Sequence, residues 1–445
     1  MTHEHPLYCI ILAAGDGTRM KSKTPKVLHE IAQKPMIHHV IDCAKQLNPD
    51  QMLVVIGQNQ AEIKEVISPI QTAIQSPAKG TADAVRIGYE ALCAAEKKDV
   101  LKGDVLVLYG DTPLVEPGTL KLMRLEMSAA SKKPGIVVLG MRPFDPAQYG
   151  RLVLAEDETV ERIVEFKEAT EAEKQIEWCN AGLMLFDGEK LASYLKRIDC
   201  NNAKGEYYLT DAIALAKMDG DSCHLVEAAE EDVMGVNSRA ELADAEMIFQ
   251  NRRRDHFMAQ GVTLIDPFSV YFAADTIIGA DTIIEPNVFF GKGVTVGSHC
   301  HIYAFSHFEG ATIGNECEIG PFARIRPASH LHDNVKIGNF VETKKSVIEK
   351  GAKVSHLSYV GDAFVGEKAN IGAGTITCNY DGVNKFQTKI GKGAFIGSNS
   401  SLVAPIEIGE GAMIGAGSVI TKTVEPFALG VARGRQVNKE NWRKS

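Results

Sequence analysis

A chain of 445 residues exceeds what one ordinary hydrophobic core organises, so two domains of roughly 200 residues each are expected. Its 48 Lys plus Arg against 57 Asp plus Glu give a formal charge of −9, which argues against any general attraction to nucleic acid or anionic membranes. The 9 cysteines include no C-x-x-C pair and fit a reducing compartment better than a disulfide framework or zinc site. With no signal-peptide pattern at Met1-Thr2-His3-Glu4-His5 and no apolar run of membrane length, a soluble cytoplasmic protein is expected.

From Leu7 to Val236 short apolar runs alternate with helix-period segments, the pattern of an α/β domain. Tyr8 to Ala14, Met52 to Gly57 and Val105 to Gly110 read as buried strands ended by Gly or polar residues. Met36, Ile37, Val40, Ile41, Ala44 and Leu47 recur at helical spacing and predict one buried stripe. A Rossmann-like, mostly parallel sheet covered on both faces follows, with ligands beyond the strand C-termini. The first domain is placed at 1–237.

Directly after the first strand comes Leu12-Ala13-Ala14-Gly15-Asp16-Gly17-Thr18-Arg19-Met20. Its glycines let backbone N–H groups approach a phosphate chain, and Arg19 and Lys26 can neutralise it. Neither a Walker A ending nor a third dinucleotide-fold glycine is present, so the loop alone is compatible with a plain structural turn. Asp111, after a buried strand, is a hard oxygen ligand suited to Mg²⁺, or else a turn or cap residue.

Ser238-Arg239-Ala240-Glu241 supplies a capping box, and Leu242, Ala245, Ile248 and Phe249 continue at helical spacing, predicting a linker helix over 238–261. Its Arg252-Arg253-Arg254 run is expected to be a solvated face rather than a phosphate contact.

Beyond the helix, large apolar residues recur every six positions: Ile278, Ile284, Phe290, Val296, Ile302, Phe308. After a five-residue step the column runs through Ile313, Ile319, Ile325, Leu331 and Ile337, slips through Val354, Val360 and Ile371, and ends as Ile390, Ile396, Leu402, Ile408 and Ile414. Four residues after most of these stands a small or β-branched side chain, such as Val288, Cys300, Ala323, Val335, Ala369, Ser400 or Ala412. The period predicts a parallel β-helix over 262–445 in which three hexads close one triangular coil.

His356 lies two places after Val354, outside both inward columns, and should face a surface or a cleft. Near it in sequence are Arg324, Arg326, Lys344, Lys345 and Tyr359. Between Asn370 and Ile390 an extra loop, Asn379-Tyr380-Asp381-Gly382, breaks the repeat. Basic clusters on a net-acidic chain suit an anionic sugar phosphate, with a solvated face as the alternative.

In order along the first half, Pro25-Lys26-Val27-Leu28, Gln75, Gly80-Thr81-Ala82, Tyr109-Gly110-Asp111, Tyr149-Gly150-Arg151, Glu165, Asn180-Ala181-Gly182 and Gly235-Val236-Asn237 resemble the sugar-1-phosphate nucleotidyltransferases. The second half resembles the left-handed β-helix of hexapeptide-repeat acyltransferases, which implies a homotrimer. Both halves, the connecting helix and Lys439-Glu440-Asn441-Trp442 together resemble the bacterial bifunctional family that joins an N-acetylglucosamine-1-phosphate uridylyltransferase to a glucosamine-1-phosphate N-acetyltransferase.

That resemblance implies UTP, acetyl-CoA, glucosamine-1-phosphate and N-acetylglucosamine-1-phosphate as substrates, and Mg²⁺ as cofactor. It implies Leu12, Ala13, Ala14, Gly15, Arg19, Lys26, Tyr109 and Gly110 around the nucleotide, with Gln75, Gly80 and Thr81 at uracil. Gly150, Glu165 and Asn180 would hold the sugar, and Asn237 would join Asp111 at the metal. In the second half it implies His356 as general base, Arg326, Lys344, Tyr359 and Asn370 at the sugar phosphate, and Ala373, Asn379, Tyr380, Ser398, Ala416 and Arg433 at acetyl-CoA. Lys79 and Asp83 depart from the family pattern, where a hydrophobic residue and often His stand. A nucleotidyltransferase with a purely structural β-helix and a noncatalytic sugar-nucleotide sensor are the competing readings.

Overall fold

Leu7–Leu12 is apolar at every position and buried on both sides, and this strand organises the first unit of the fold. Leu7, Cys9 and Ile11 pack with Ile37, Val40, Ile41 and Ala44 of the helix Met36–Lys45. Tyr8, Ile10 and Leu12 pack on the opposite face with Val85, Tyr89 and Leu92 of the helix Thr81–Glu96. Period-two alternation across a strand with helices on both faces is the reason the run shows no polar residue.

This computed structural model describes residues 5–15, 17–129, 132–146, 149–202, 205–440 and 442–443. Met1 to Glu4, Asp16 of the first loop and Asn441 of the tail motif lie outside the described residues. The chain divides into two compact units, Met1–Phe249 and Gln250–Ser445, with the division inside the helix Arg239–Ala259.

In the first unit the sheet runs in the order Cys223–Glu227, Ile136–Met141, Cys179–Asp187, Asp104–Tyr109, Leu7–Leu12, Gln51–Gly57, Gln71–Gln75. Neighbours are parallel except around Cys179–Asp187, which opposes both strands beside it, and an antiparallel pair, Arg151–Leu154 with Val160–Val164, joins its start. Leu12, Gly57, Gln75 and Tyr109 end their parallel strands on one edge of the sheet, where ligands bind in open α/β folds.

The capping box expected at Ser238 forms only in part. Ser238 Oγ accepts from Glu241 N at 3.3 Å, but Glu241 Oε2 takes the N–H of Asn237 at 2.7 Å instead of that of Ser238. The carboxylate therefore fixes the residue that enters the helix.

In the second unit the six-residue period becomes a parallel β-helix. Phe272 pairs with Phe290, Ile278 with Val296 and Ile284 with Ile302, so each pairing skips three hexads and the backbone closes one coil on the next. The five-residue step is absorbed by pairing Val296 with Ile313. The aliphatic column and the small-residue column, Cys300 and Cys317 included, fill one continuous core. Within it Phe272, Phe290 and Phe308 stack with centroids 5.4 and 5.1 Å apart.

Two longer strands, Glu342–Ile348 and Tyr359–Val365, run round a corner of the prism and pair with strands of two faces. They bend at Lys345 and Asp362, whose φ values are 45° and 46°.

The arginine run corrects the expectation of a solvated face. Arg254 is 4% exposed and donates from Nε and Nη2 to Val270 O at 3.2 and 3.1 Å, while Arg253 Nη2 donates to Thr276 O at 2.6 Å and its guanidinium lies over Phe257. Gln250 adds a reciprocal pair with the backbone of Phe272 at 2.7 and 2.9 Å. The first coil has no preceding coil to bond its backbone, so buried side chains from this helix supply the missing partners. Among the described residues no helix is long and apolar enough to cross a membrane.

Candidate active sites

A cleft of about 450 Å³ opens at the sheet edge where the parallel strands end. Of the residues expected there, Leu12, Ala13, Ala14, Gly15, Lys26, Gln75, Gly80, Thr81, Tyr109, Asp111, Glu165 and Asn180 line it. Asn237 reaches the same centre from the start of the long helix, because Lys26 Nζ donates both to Asp111 Oδ2 and, at 3.0 Å, to Asn237 Oδ1. Two oxygen donors from distant parts of the sequence thus converge on one cation, and hard oxygen donors are what Mg²⁺ takes. Burial, then the carboxylates of Asp111 and Glu165, raise the Tyr109 phenol above its ordinary value, so it stays a neutral donor.

Besides Asn237, which meets the cleft only through Lys26, three expected residues do not line it. Arg19 is solvent-exposed in a short 3₁₀ turn, and Gly110 is buried behind the strand end. Gly150 presents its carbonyl to the N–H of Asn180 at 2.8 Å and so positions that side chain's backbone.

Sequence reading missed the segment after Gly205, of which Glu206, Tyr208, Leu209 and Thr210 line the cleft. Ala82 N donates to Tyr207 O and Tyr207 N to Lys79 O, at 2.9 and 2.8 Å, and Leu209 N donates to Thr81 Oγ1 at 3.0 Å. Gly80 has φ 113°, and a Cβ there would stand 2.5 Å from Tyr207 O, so only glycine permits this clasp. The adjacent tyrosines after a loop glycine were the available signal.

The second candidate site is a ridge of the β-helix. Ile337, Val354, Ile371, Ile396 and Ile414 pair in succession on one face, so Asn339, His356, Ala373, Ser398 and Ala416, each two places further on, form a row along one corner. Coils are about 4.8 Å apart, which makes the row from His356 to Ala416 roughly 14 Å long. Arg433 joins its end by donating from Nη1 to Ala416 O at 2.9 Å.

His356 is exposed, as its register predicts, and its Nδ1 lies 2.7 Å from Asn339 Oδ1. An amide oxygen only accepts, so the proton sits on Nδ1 and the lone pair on Nε2 is left to act as a base. Asn370 precedes Ile371 on one face of the corner, while Tyr359 and Lys344 lie on the strands of the next. Gly361 accommodates the Tyr359 ring, because a Cβ there would stand 2.3 Å from the phenol oxygen.

Positive charge is concentrated beside this corner. Lys385, then Arg326, hold the Lys344 ammonium below its ordinary value, and Arg326 is itself paired with Glu342 at 2.6 Å. Lys385, which sequence reading did not single out, sits in the extra loop and bridges to Tyr380. That loop is ordered by Asp381, whose Oδ1 accepts the N–H groups of Val383 and Asn384 at 2.8 and 2.6 Å, and by Asn379, which donates to Asp362. Tyr380 stays exposed.

A mostly parallel α/β unit with a cleft of about 450 Å³ at its strand ends, followed by a hexapeptide solenoid carrying a surface histidine, defines a nucleotidyltransferase fused to a hexapeptide-repeat transferase. Family models agree: a MobA-like NTP transferase domain matches residues 9–180, and the six-repeat bacterial transferase hexapeptide matches 275–310, 310–345 and 387–422. The chain is 51% identical over 436 residues to the bifunctional protein GlmU of Paramagnetospirillum magneticum, covering 98% of this chain and 95% of that one. It is 49% identical over 448 residues to that of Zymomonas mobilis (100% and 98% covered) and 51% identical over 443 residues to that of Azorhizobium caulinodans (99% and 97% covered). The chain belongs to the bifunctional GlmU family, it is a transferase, and its solenoid is the left-handed parallel β-helix of hexapeptide repeats.

Proposed function

We propose that the chain makes UDP-N-acetylglucosamine in two steps, acetylating glucosamine-1-phosphate with acetyl-CoA on the ridge and then joining the product to UTP in the cleft with release of pyrophosphate. What carries this reading is that each separately packed unit holds one chemically competent centre, the His356–Asn339 pair in one and the Asp111–Lys26–Asn237 group in the other.

On the ridge, His356 Nε2 takes a proton from the sugar amine as its nitrogen attacks the thioester carbonyl and the coenzyme A sulfur departs. Lys344, Lys385 and Arg326 receive the sugar phosphate, whose charge relieves the mutual repulsion that lowers Lys344. The row through Ala373, Ser398 and Ala416 to Arg433 offers a track for the extended thioester carrier, with Asn379 and Tyr380 flanking it. The exposed Phe305, Phe322 and Phe340, stacked at 4.9 and 5.1 Å, give this unit an apolar edge that supports assembly as a homotrimer.

In the cleft the sugar phosphate attacks the α-phosphorus of UTP in line, so the chain needs to align two anions rather than supply a nucleophile. Gly15 and the backbone of Leu12 to Ala14 face the triphosphate, and Lys26 neutralises it. Glu165 and Asn180 hold the sugar. Asp111 and Asn237 would hold Mg²⁺, which supplies charge neutralisation on the phosphates when bound. A cytoplasmic setting supplies these substrates.

An assay with glucosamine-1-phosphate, acetyl-CoA, UTP and Mg²⁺, each omitted in turn, tests this. A UDP-sugar product that needs all four is expected. Pyrophosphate release without coenzyme A release would leave the β-helix a structural role only.

A further inference from the structure

Asp83 stands where the sequence departs from the family pattern, and the structure gives it a task. It is 4% exposed in the first turn of the helix Thr81–Glu96, where the helix dipole favours a carboxylate. Oδ1 is paired with Arg86, and Oδ2 accepts from Gln75 Nε2 at 2.9 Å. Gln75, 5% exposed at the end of the edge strand, gives its other amide hydrogen to Gly80 O at 3.0 Å.

A carboxylate and a carbonyl can only accept hydrogen bonds, so both demand the NH₂ end of the Gln75 amide. With that end committed, Oε1 is the group Gln75 can offer to a ligand in the cleft that it lines. The polarity of the side chain is therefore set by Asp83 together with the Gly80 carbonyl, and Asp83 is the side chain of the two.

We propose that Asp83 is a positioning residue for nucleobase selection: it locks Gln75 with its amide oxygen toward the base, so that the cleft accepts a ring N–H such as N3–H of uracil and rejects the bare ring nitrogen of cytosine. The inference rests on the reading of Gln75 as the nucleobase contact. Arg86 completes the device by pairing with Oδ1 and so fixing the carboxylate that faces Gln75.

The test compares UTP with CTP in pyrophosphate release with N-acetylglucosamine-1-phosphate, for the full chain and its Asp83→Asn variant. An asparagine can present either an amide or an oxygen to Gln75, so only the Gly80 carbonyl still requires the NH₂ end, and Gln75 can turn its NH₂ toward the base for the loss of that one bond. The expected result is a fall of about tenfold or more in the UTP to CTP ratio of kcat/KM, with the KM for the sugar phosphate unchanged. Arg86→Gln, which leaves Asp83 in place but removes the guanidinium that fixes its Oδ1, should move the ratio in the same direction by less. Acetyl transfer by the same preparations reports that the variants are folded.

If UTP and CTP turnover fell together in Asp83→Asn, or neither changed, the carboxylate would be a packing residue and the inference would be overturned. Should the unaltered chain turn over neither nucleotide, the reading of the cleft would fail first, and the ratio would not be the cause.

Discussion

The cleft and the ridge solve the placing of chemistry in opposite ways. In the cleft, charged and polar groups from Lys26, Gln75, Asp83, Asp111 and Asn237 bind one another directly before any ligand arrives. On the ridge, His356 is exposed and its ring bonds one side chain among the described residues, Asn339. A pleated sheet with crossover helices brings remote loops together at one edge, whereas a solenoid sets each residue beside its equivalent one coil away and builds rows instead of pockets. Enclosure therefore comes from the chain itself in the first unit, whereas a row along one corner of a solenoid leaves its side chains open.

The sharpest way to break this comparison is to remove one centre at a time. His356→Ala should lower acetyl transfer by about 10²- to 10⁴-fold and spare uridylyl transfer. Asp111→Ala should do the reverse, by about 10²-fold or more. Loss of both activities in either variant, measured as thiol and pyrophosphate release, would show that the centres are not independent.

A smaller effect is expected from Asn339→Leu, which leaves the imidazole without the acceptor that holds its proton on Nδ1. Acetyl transfer should fall about tenfold, with the KM for acetyl-CoA little changed. An unchanged kcat would mean that the ridge does not need a fixed tautomer.

Arg254→Met tests whether a solenoid needs a cap that an α/β sheet does not. Leaving the Val270 carbonyl unpaired should cost about 2 kcal/mol, read as a lower denaturant midpoint. Equal stability would show that water replaces the guanidinium.

The last expectation concerns acid. Burial above all lowers the His39 imidazole to about 4, and its Nε2–H donates to Ile31 O at 3.0 Å. Because the folded value lies below the unfolded value near 6.5, the native state binds fewer protons than the unfolded one over this range. Stability from this group is complete above pH 6.5 and declines as pH falls toward 4, by on the order of 3 kcal/mol. His39→Gln, which retains a donor for Ile31 O, should flatten that part of the pH–stability curve.

How much could be read beforehand differs between the units for the same physical reason. Hexad periodicity placed the core residues of the β-helix, because every coil repeats one local environment and the side-chain column is printed directly in the sequence. Position relative to that column also put His356 outside the core, where the structure has it. The Asn339–His356 pairing required knowing that Ile337 and Val354 are neighbours on adjacent coils. In the first unit the apolar runs marked the strands, but the contribution of Glu206 to Thr210 was hidden in a loop without periodicity.

Arg252-Arg253-Arg254 shows where local reading goes astray. Three consecutive charges on a helix resemble a solvated face, and only the open first coil, with carbonyls lacking a neighbour, turns Arg254 into a buried cap and the half-buried Arg253 into a second. Asp83 is similar: the resemblance marks it as a departure from the family pattern, while its meaning depends on Gln75 being within hydrogen-bond reach of both Asp83 and Gly80 O. Repeat period, strand runs and the chemical identity of candidate ligands are local properties of the chain and follow from side-chain size and polarity alone. Which donors meet which acceptors across tens or hundreds of residues is decided only when the sheet edge and the coils close, because hydrogen bonding demands ångström proximity that no one-dimensional pattern encodes.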